Sequence, residues 1–109
     1  MEETEFRRRC SEALEELRRN LLSLSDEHGF DVEGEGEKLE VLFEEPEEAT
    51  FVISPNTPVR QIWVSALSTS FKLSWSEKAG AFVLDRSGET LSQLMSRVLS
   101  QQLGTPVTV

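Results

Sequence analysis

An α+β sandwich, with two helices on one face of an antiparallel sheet of about six strands, is the fold class this sequence predicts. Three observations lead there. An apolar stripe at helical spacing opens the chain, and a second closes it. Between them lie short segments that alternate apolar and polar residues with period two. The turns joining those segments are too short for the crossover that parallel pairing requires. At 109 residues the chain makes one domain, residues 1–109, with one modest core.

The first helix is expected from about Glu3 to Leu24. Phe6, Cys10, Leu14, Leu17, Leu21 and Leu24 recur at steps of three and four. Thr4 or a neighbour caps its start, and the early glutamates suit the positive end of the helix dipole. Glu5 with Arg9 and Glu15 with Arg19 are i,i+4 pairs on the outer face. Cys10 falls on the stripe and reads as a small buried residue. Gly29 is a natural left-handed stop.

Six strands follow. Phe30 and Val32 alternate with Asp31 and Glu33, and Gly34-Glu35-Gly36-Glu37 makes a hairpin turn. Leu39, Val41 and Phe43 mark the second strand, and Glu44–Glu48 an acidic loop around Pro46. The third strand is Thr50–Ser54, with Phe51 and Ile53 on one face. Pro55 and Pro58 lack an N–H, so neither belongs inside a central ladder.

The fourth strand is Gln61–Ser65. Ile62 and Val64 point one way; Gln61, Trp63 and Ser65 point the other. Trp63 is then either an aromatic on a polar face, a mark of a contact surface, or a core residue if the faces are reversed. Ser68-Thr69-Ser70 turns the chain into a fifth strand with Phe71 and Leu73, and Glu77–Gly80 into a sixth, Ala81–Asp85. Thr90 and Gln93 form a capping-box pattern for the second helix, whose apolar face is Leu91, Leu94, Met95, Val98 and Leu99. Gly104 and Pro106 end it, and Val107-Thr108-Val109 is a tail able to lie against the domain.

Charge narrows the partners. The net charge is −9, which argues against nucleic acid and anionic membrane. Residues 1–50 hold 17 acidic and 6 basic side chains; residues 51–109 hold 3 and 5. One half of the chain is thus strongly acidic, either as a directional field for a basic partner or as a solubilising face. A single cysteine builds no disulfide framework and fits a reducing compartment. No apolar run reaches membrane-spanning length and no signal peptide is evident, so a cytoplasmic protein is expected.

No catalytic residues stand out. His28 is the only histidine and has no evident Ser or Cys partner. The carboxylates remain. Asp26, Glu27, Asp31, Glu33, Glu35 and Glu37 gather at the end of the first helix and the first hairpin. Carboxylate oxygens are hard ligands for cations such as iron, manganese, calcium or magnesium, and His28 adds a nitrogen. Spacing defines no closed cage, and charge runs of this kind usually read as a solvated surface.

The run Ser54-Pro55-Asn56-Thr57-Pro58-Val59-Arg60-Gln61-Ile62-Trp63-Val64 resembles the signature of the frataxin family, whose bacterial members are of the CyaY type. Pro58, Gln61, Ile62, Trp63 and Val64 match; Ser54 and Asn56 replace the usual Asn and Gln. Asp85–Thr90 resembles the family's lead-in to the last helix, and Glu5-Phe6 its first-helix opening. The resemblance spans nearly the whole chain and implies the same two-layer plan.

It also implies a function. Frataxin-like proteins are accessory, non-catalytic factors of iron–sulfur cluster assembly. They bind iron (Fe2+/Fe3+) weakly through an acidic ridge and dock on a cysteine desulfurase and its scaffold complex. By position, Glu27, Asp31 and Glu33 match ridge acids, and Gln61 and Trp63 the sheet contact, with Asn56 beside them. Where relatives carry acids late in the first helix, this chain has Arg18-Arg19-Asn20-Leu21-Leu22-Ser23-Leu24-Ser25. Its charge is moved to Glu35 and Glu37 and to Glu12, Glu15 and Glu16, making Glu12 and Glu16 further partner candidates. Two rival readings stand beside this one. The first is a metal-independent acidic module that regulates a basic partner. The second, an iron-oxidising enzyme, needs a defined ferrous site that the sequence does not show. A monomer is expected without metal.

Overall fold

The computed structural model describes residues 1–109, except for the side chain of Glu35. Helix α1 runs Glu3–His28, four residues past the expected end. Serines near its end do not break it. Ser23 and Ser25 hydroxyls donate to the carbonyls of Asn20 and Leu22 at 2.8 and 2.9 Å, keeping their polar groups within the helix. Gly29, at φ 72°, closes it, and the Gly29 and Phe30 N–H groups both donate to the Ser25 carbonyl. Its start carries no side-chain cap: Glu2 precedes the first turn and Thr4 lies inside it. Glu3–Arg7, Glu5–Arg9 and Arg8–Glu12 are the i,i+4 pairs among the described residues, without the expected Glu15–Arg19.

The strands are β1 Asp31–Glu35, β2 Lys38–Phe43, β3 Ala49–Asn56, β4 Gln61–Ala66, β5 Thr69–Ser76 and β6 Ala81–Leu84. They lie side by side in chain order, every pair antiparallel. Phe30 stays outside β1 yet is buried, its ring 5.6 Å from Phe43. Leu67 and Ser68 both take positive φ in the β4–β5 turn, as type I′ hairpins require, so Thr69 and Ser70 belong to β5.

Pro55 lies within β3, opposite Ile62 of β4, against the expectation that it falls outside a ladder. The reason is position. β2 stops pairing at Leu39–Ile53, so β3 has a neighbour on one side only at Pro55. A missing N–H is tolerated at such a local edge.

Period-two alternation sends Leu39, Val41, Phe43, Phe51, Ile53, Ile62, Val64, Leu73 and Phe82 to one face. There they meet the α1 stripe and helix α2 (Leu91–Leu103), and no polar or charged residue is buried among the described residues. α1 packs along β1 at one edge and reaches β6 at the other, where Phe6 meets Phe82 edge-on at 5.9 Å. Thr90 and Gln93 make the full capping box. The tail is pinned to α2 by serines one turn apart. Ser96 Oγ accepts the Val109 N–H, and Ser100 Oγ the Val107 N–H, both at 2.9 Å. The opposite face of the sheet carries no helix.

Candidate functional site

That open face is built by the residues alternating with the core. On β4 the buried Ile62 and Val64 force Gln61, Trp63 and Ser65 outward. Register sets their neighbours: Trp63 lies between Ser54 and Lys72, and Gln61 between Asn56 and Ser74. Trp63 is 37% exposed although it sits mid-sheet, because the side chains flanking it are short or extend past it.

Its orientation is fixed. The indole N–H donates to Gln61 Oε1 at 2.9 Å, and Lys72 Nζ lies 4.9 Å from the ring centroid. Ser54, Ser65, Ser70 and Ser74 leave the surrounding surface low and largely hydroxyl-lined, with Val52 opposite Ser65. The result is a flat platform with one raised, oriented aromatic, the composition of an interface anchor.

The same face is acidic at its β1 edge. Val32 pairs with the buried Val41, so Asp31 and Glu33 point to the open side. Glu33 lies opposite Glu40, whose Oε1 is 3.3 Å from Lys38 Nζ. Three strand spacings, about 15 Å, separate this edge from the Trp63 strand. Side-chain charge therefore changes sign across the sheet, from the acids of β1 to Lys72 of β5.

The remaining acids are dispersed. Asp26 and Glu27 occupy the last turn of α1, and Glu37 the β1–β2 turn. The side chain of Glu35 lies outside the described residues. A β-carbon at Gly34 would sit 3.8 Å from Arg18 Nε, so a guanidinium stands beside the acidic strand. Among the described residues no three His, Cys, Asp or Glu side chains converge to hold an ion. The donor chemistry suits a hard cation; the geometry builds no fixed cage for one. Glu12 and Glu16 project from α1 toward α2, in the helical layer rather than on the Trp63 face.

Cys10 is buried, and desolvation, with a smaller contribution from the Glu37 carboxylate, pushes its thiol up to about 12. It is a core residue and no nucleophile. His28 Nε2 has Glu27 Oε2 at 3.9 Å. Sequence reasoning missed Lys72 and the placement of Arg18. Lys72 became visible only through the β4–β5 register, and Arg18 through the packing of α1 on β1.

The frataxin-like domain model matches residues 1–105 of this chain. The chain belongs to the frataxin family. It is 31% identical over 98 residues to the iron–sulfur cluster assembly protein CyaY of Azotobacter vinelandii, covering 88% of this chain and 87% of that protein. The same identity and coverage hold for the CyaY of Pseudomonas syringae pv. tomato. The frataxin of Psychromonas ingrahamii, a CyaY-family structure, superposes with a TM-score of 0.74 over 99% of this chain and 97% of that one, at 22% identity. The frataxin fold thus comprises both helices and all six strands described above. No helix among the described residues is long and apolar enough to cross a membrane.

Proposed function

We propose that this chain is an accessory, non-catalytic protein of iron–sulfur cluster assembly that docks through its open sheet face on a cysteine desulfurase and its scaffold complex. The observation that carries this is Trp63: exposed, hydrogen-bonded into one orientation, and set on a flat polar platform with an acidic edge. The acids of β1 would steer a basic partner and fix its orientation, while the desolvated indole would hold it. A standard interface buries about 800 Å² per partner, enough to span both the β1 edge and Trp63. Membership of a family whose relatives are named for cluster assembly supports the same pathway. The reading places the protein in the cytoplasm as a monomer.

Iron, in this reading, is cargo held loosely by the carboxylates Asp26, Glu27, Asp31, Glu33, Glu35 and Glu37. One observation favours the rival, a metal-independent module: Lys38 lies 3.3 Å from Glu40, which faces Glu33 on the acidic edge, and opposes a cation there. A titration of the labelled protein with a bacterial cysteine desulfurase, with and without anaerobic ferrous iron, separates the two. Broadening centred on Trp63, Gln61 and Asn56 supports docking. Iron-dependent strengthening supports the cargo reading, and indifference to iron supports the rival. Absence of any effect on the open face would sink the proposal.

A further inference from the structure

A cavity of about 320 Å³ lies in the helical layer, between the middle of α1, the β5–β6 turn and the first turn of α2. It is separate from the open face of the sheet. Leu17, Phe82 and Leu91 give it an apolar wall, and its volume is at the small end for ligand sites.

Two buried donors beside it lack partners: Arg9 Nε and Trp75 Nε1. The Arg9 guanidinium lies 4.6 Å over the Trp75 ring, and its nearest carboxylate oxygen, on Glu5, is 3.9 Å away. That is beyond hydrogen-bond length. A guanidinium set over an indole ring still has N–H groups to offer a carboxylate. Arg9 retains 31% of its side-chain exposure while Nε itself is buried, which leaves those groups to a ligand.

Glu12 and Glu16 follow Arg9 on the same side of α1, and both border the cavity. Glu12 has Arg8 at 3.2 Å; Glu16 makes no ion pair among the described residues. The charge thus changes sign across the mouth, positive at Arg9 and negative at Glu16. A simple anion would leave Glu16 unanswered, and a simple amine would leave the Arg9 donors without a hydrogen-bond partner.

We propose that this cavity binds a small zwitterion with an apolar body, a free α-amino acid. Its carboxylate meets Arg9, its ammonium faces Glu16 and Glu12, and its side chain lies against Phe82 and Leu91.

The test is a titration followed by amide and indole N–H spectra, using phenylalanine, phenylpropionate and phenethylamine as probes. Phenylalanine is expected to give saturable shifts at the Trp75 indole, Gly80–Phe82 and Leu91–Ser92, with each single-charge analogue at least about tenfold weaker. Arg9→Gln and Glu16→Gln are each expected to weaken phenylalanine binding about tenfold. If Arg9→Gln does not fold, Glu16→Gln, at an exposed position, decides alone. No saturable shift at millimolar phenylalanine would overturn the proposal. Equal binding of the three probes, or unchanged affinity in Glu16→Gln, would overturn it as well.

Discussion

Trp63 and Gln61, two residues apart on one strand, are joined by a 2.9 Å hydrogen bond from the indole N–H to the carboxamide oxygen. Gln61 Nε2 in turn lies 3.5 Å from Ser74 Oγ on the next strand. The most exposed aromatic of the sheet is therefore held in one pose before any partner arrives, which lowers the ordering cost of binding. Because Trp63 is on the solvent face, Trp63→Ala should change folding stability by less than about 1 kcal/mol, checked by urea unfolding.

Gln61→Ala tests the pose separately from the anchor. It leaves the indole in place and removes its acceptor. Partner affinity should fall by about 1 kcal/mol, less than for Trp63→Ala, with no change in thermal midpoint beyond a few degrees. Calorimetric titration of the two variants against one desulfurase checks the ranking.

Arg18 stands beside the acidic strand, within 3.8 Å of a β-carbon position at Gly34. Replacing it by Gln removes a cation from the edge that would attract metal. Paramagnetic broadening by manganese at Gly36 and Glu37, which border the same helical-side pocket as Arg18, should therefore increase in Arg18→Gln, and the gain should shrink as salt rises. Unchanged broadening would mean that Arg18 does not control cation access to this edge.

Some of this was legible in the chain and some was not. Period two separated Ile62 and Val64 from Trp63 without telling which set faces the core, and the capping of α2 followed from Thr90 and Gln93. Both are local patterns. Pro55 misled because its tolerance depends on where β2 stops, a fact of the neighbouring strand. The β4–β5 turn was misplaced because Leu67 and Ser68 adopt positive φ without glycine or asparagine. Lys72 over Trp63 and Arg18 beside Gly34 depend on register and helix packing, which alternation along a strand does not encode.

Cys10 makes a pH prediction. Its thiol, ordinarily near 9.0, is pushed up to about 12 by burial and by Glu37. Above 9.0 the unfolded chain loses this proton while the folded one keeps it. The folded state then binds more protons, so stability is fully present below pH 9.0 and falls as pH rises toward 12. Cys10→Ala should flatten that decline in chemical denaturation series, while costing some packing at neutral pH. In the native protein the thiol should resist alkylation at neutral pH until the chain unfolds.

The tail should behave as part of the domain. Ser96→Ala and Ser100→Ala each remove an acceptor for a tail N–H, and each should destabilise by about 1 kcal/mol. Hydrogen exchange at Val107 and Val109 should accelerate in the matching variant. Protection unchanged from wild type would show that burial of Val107 alone holds the tail.

The most direct test of the docking account is the affinity of a bacterial cysteine desulfurase for wild type and for Trp63→Ala, measured calorimetrically at low and physiological salt. The account predicts a loss of at least about 2 kcal/mol on removing the indole, with wild-type binding weakening as salt rises. Equal affinity for the two proteins, with Trp63→Ala folded as stably as wild type, would contradict docking through this face.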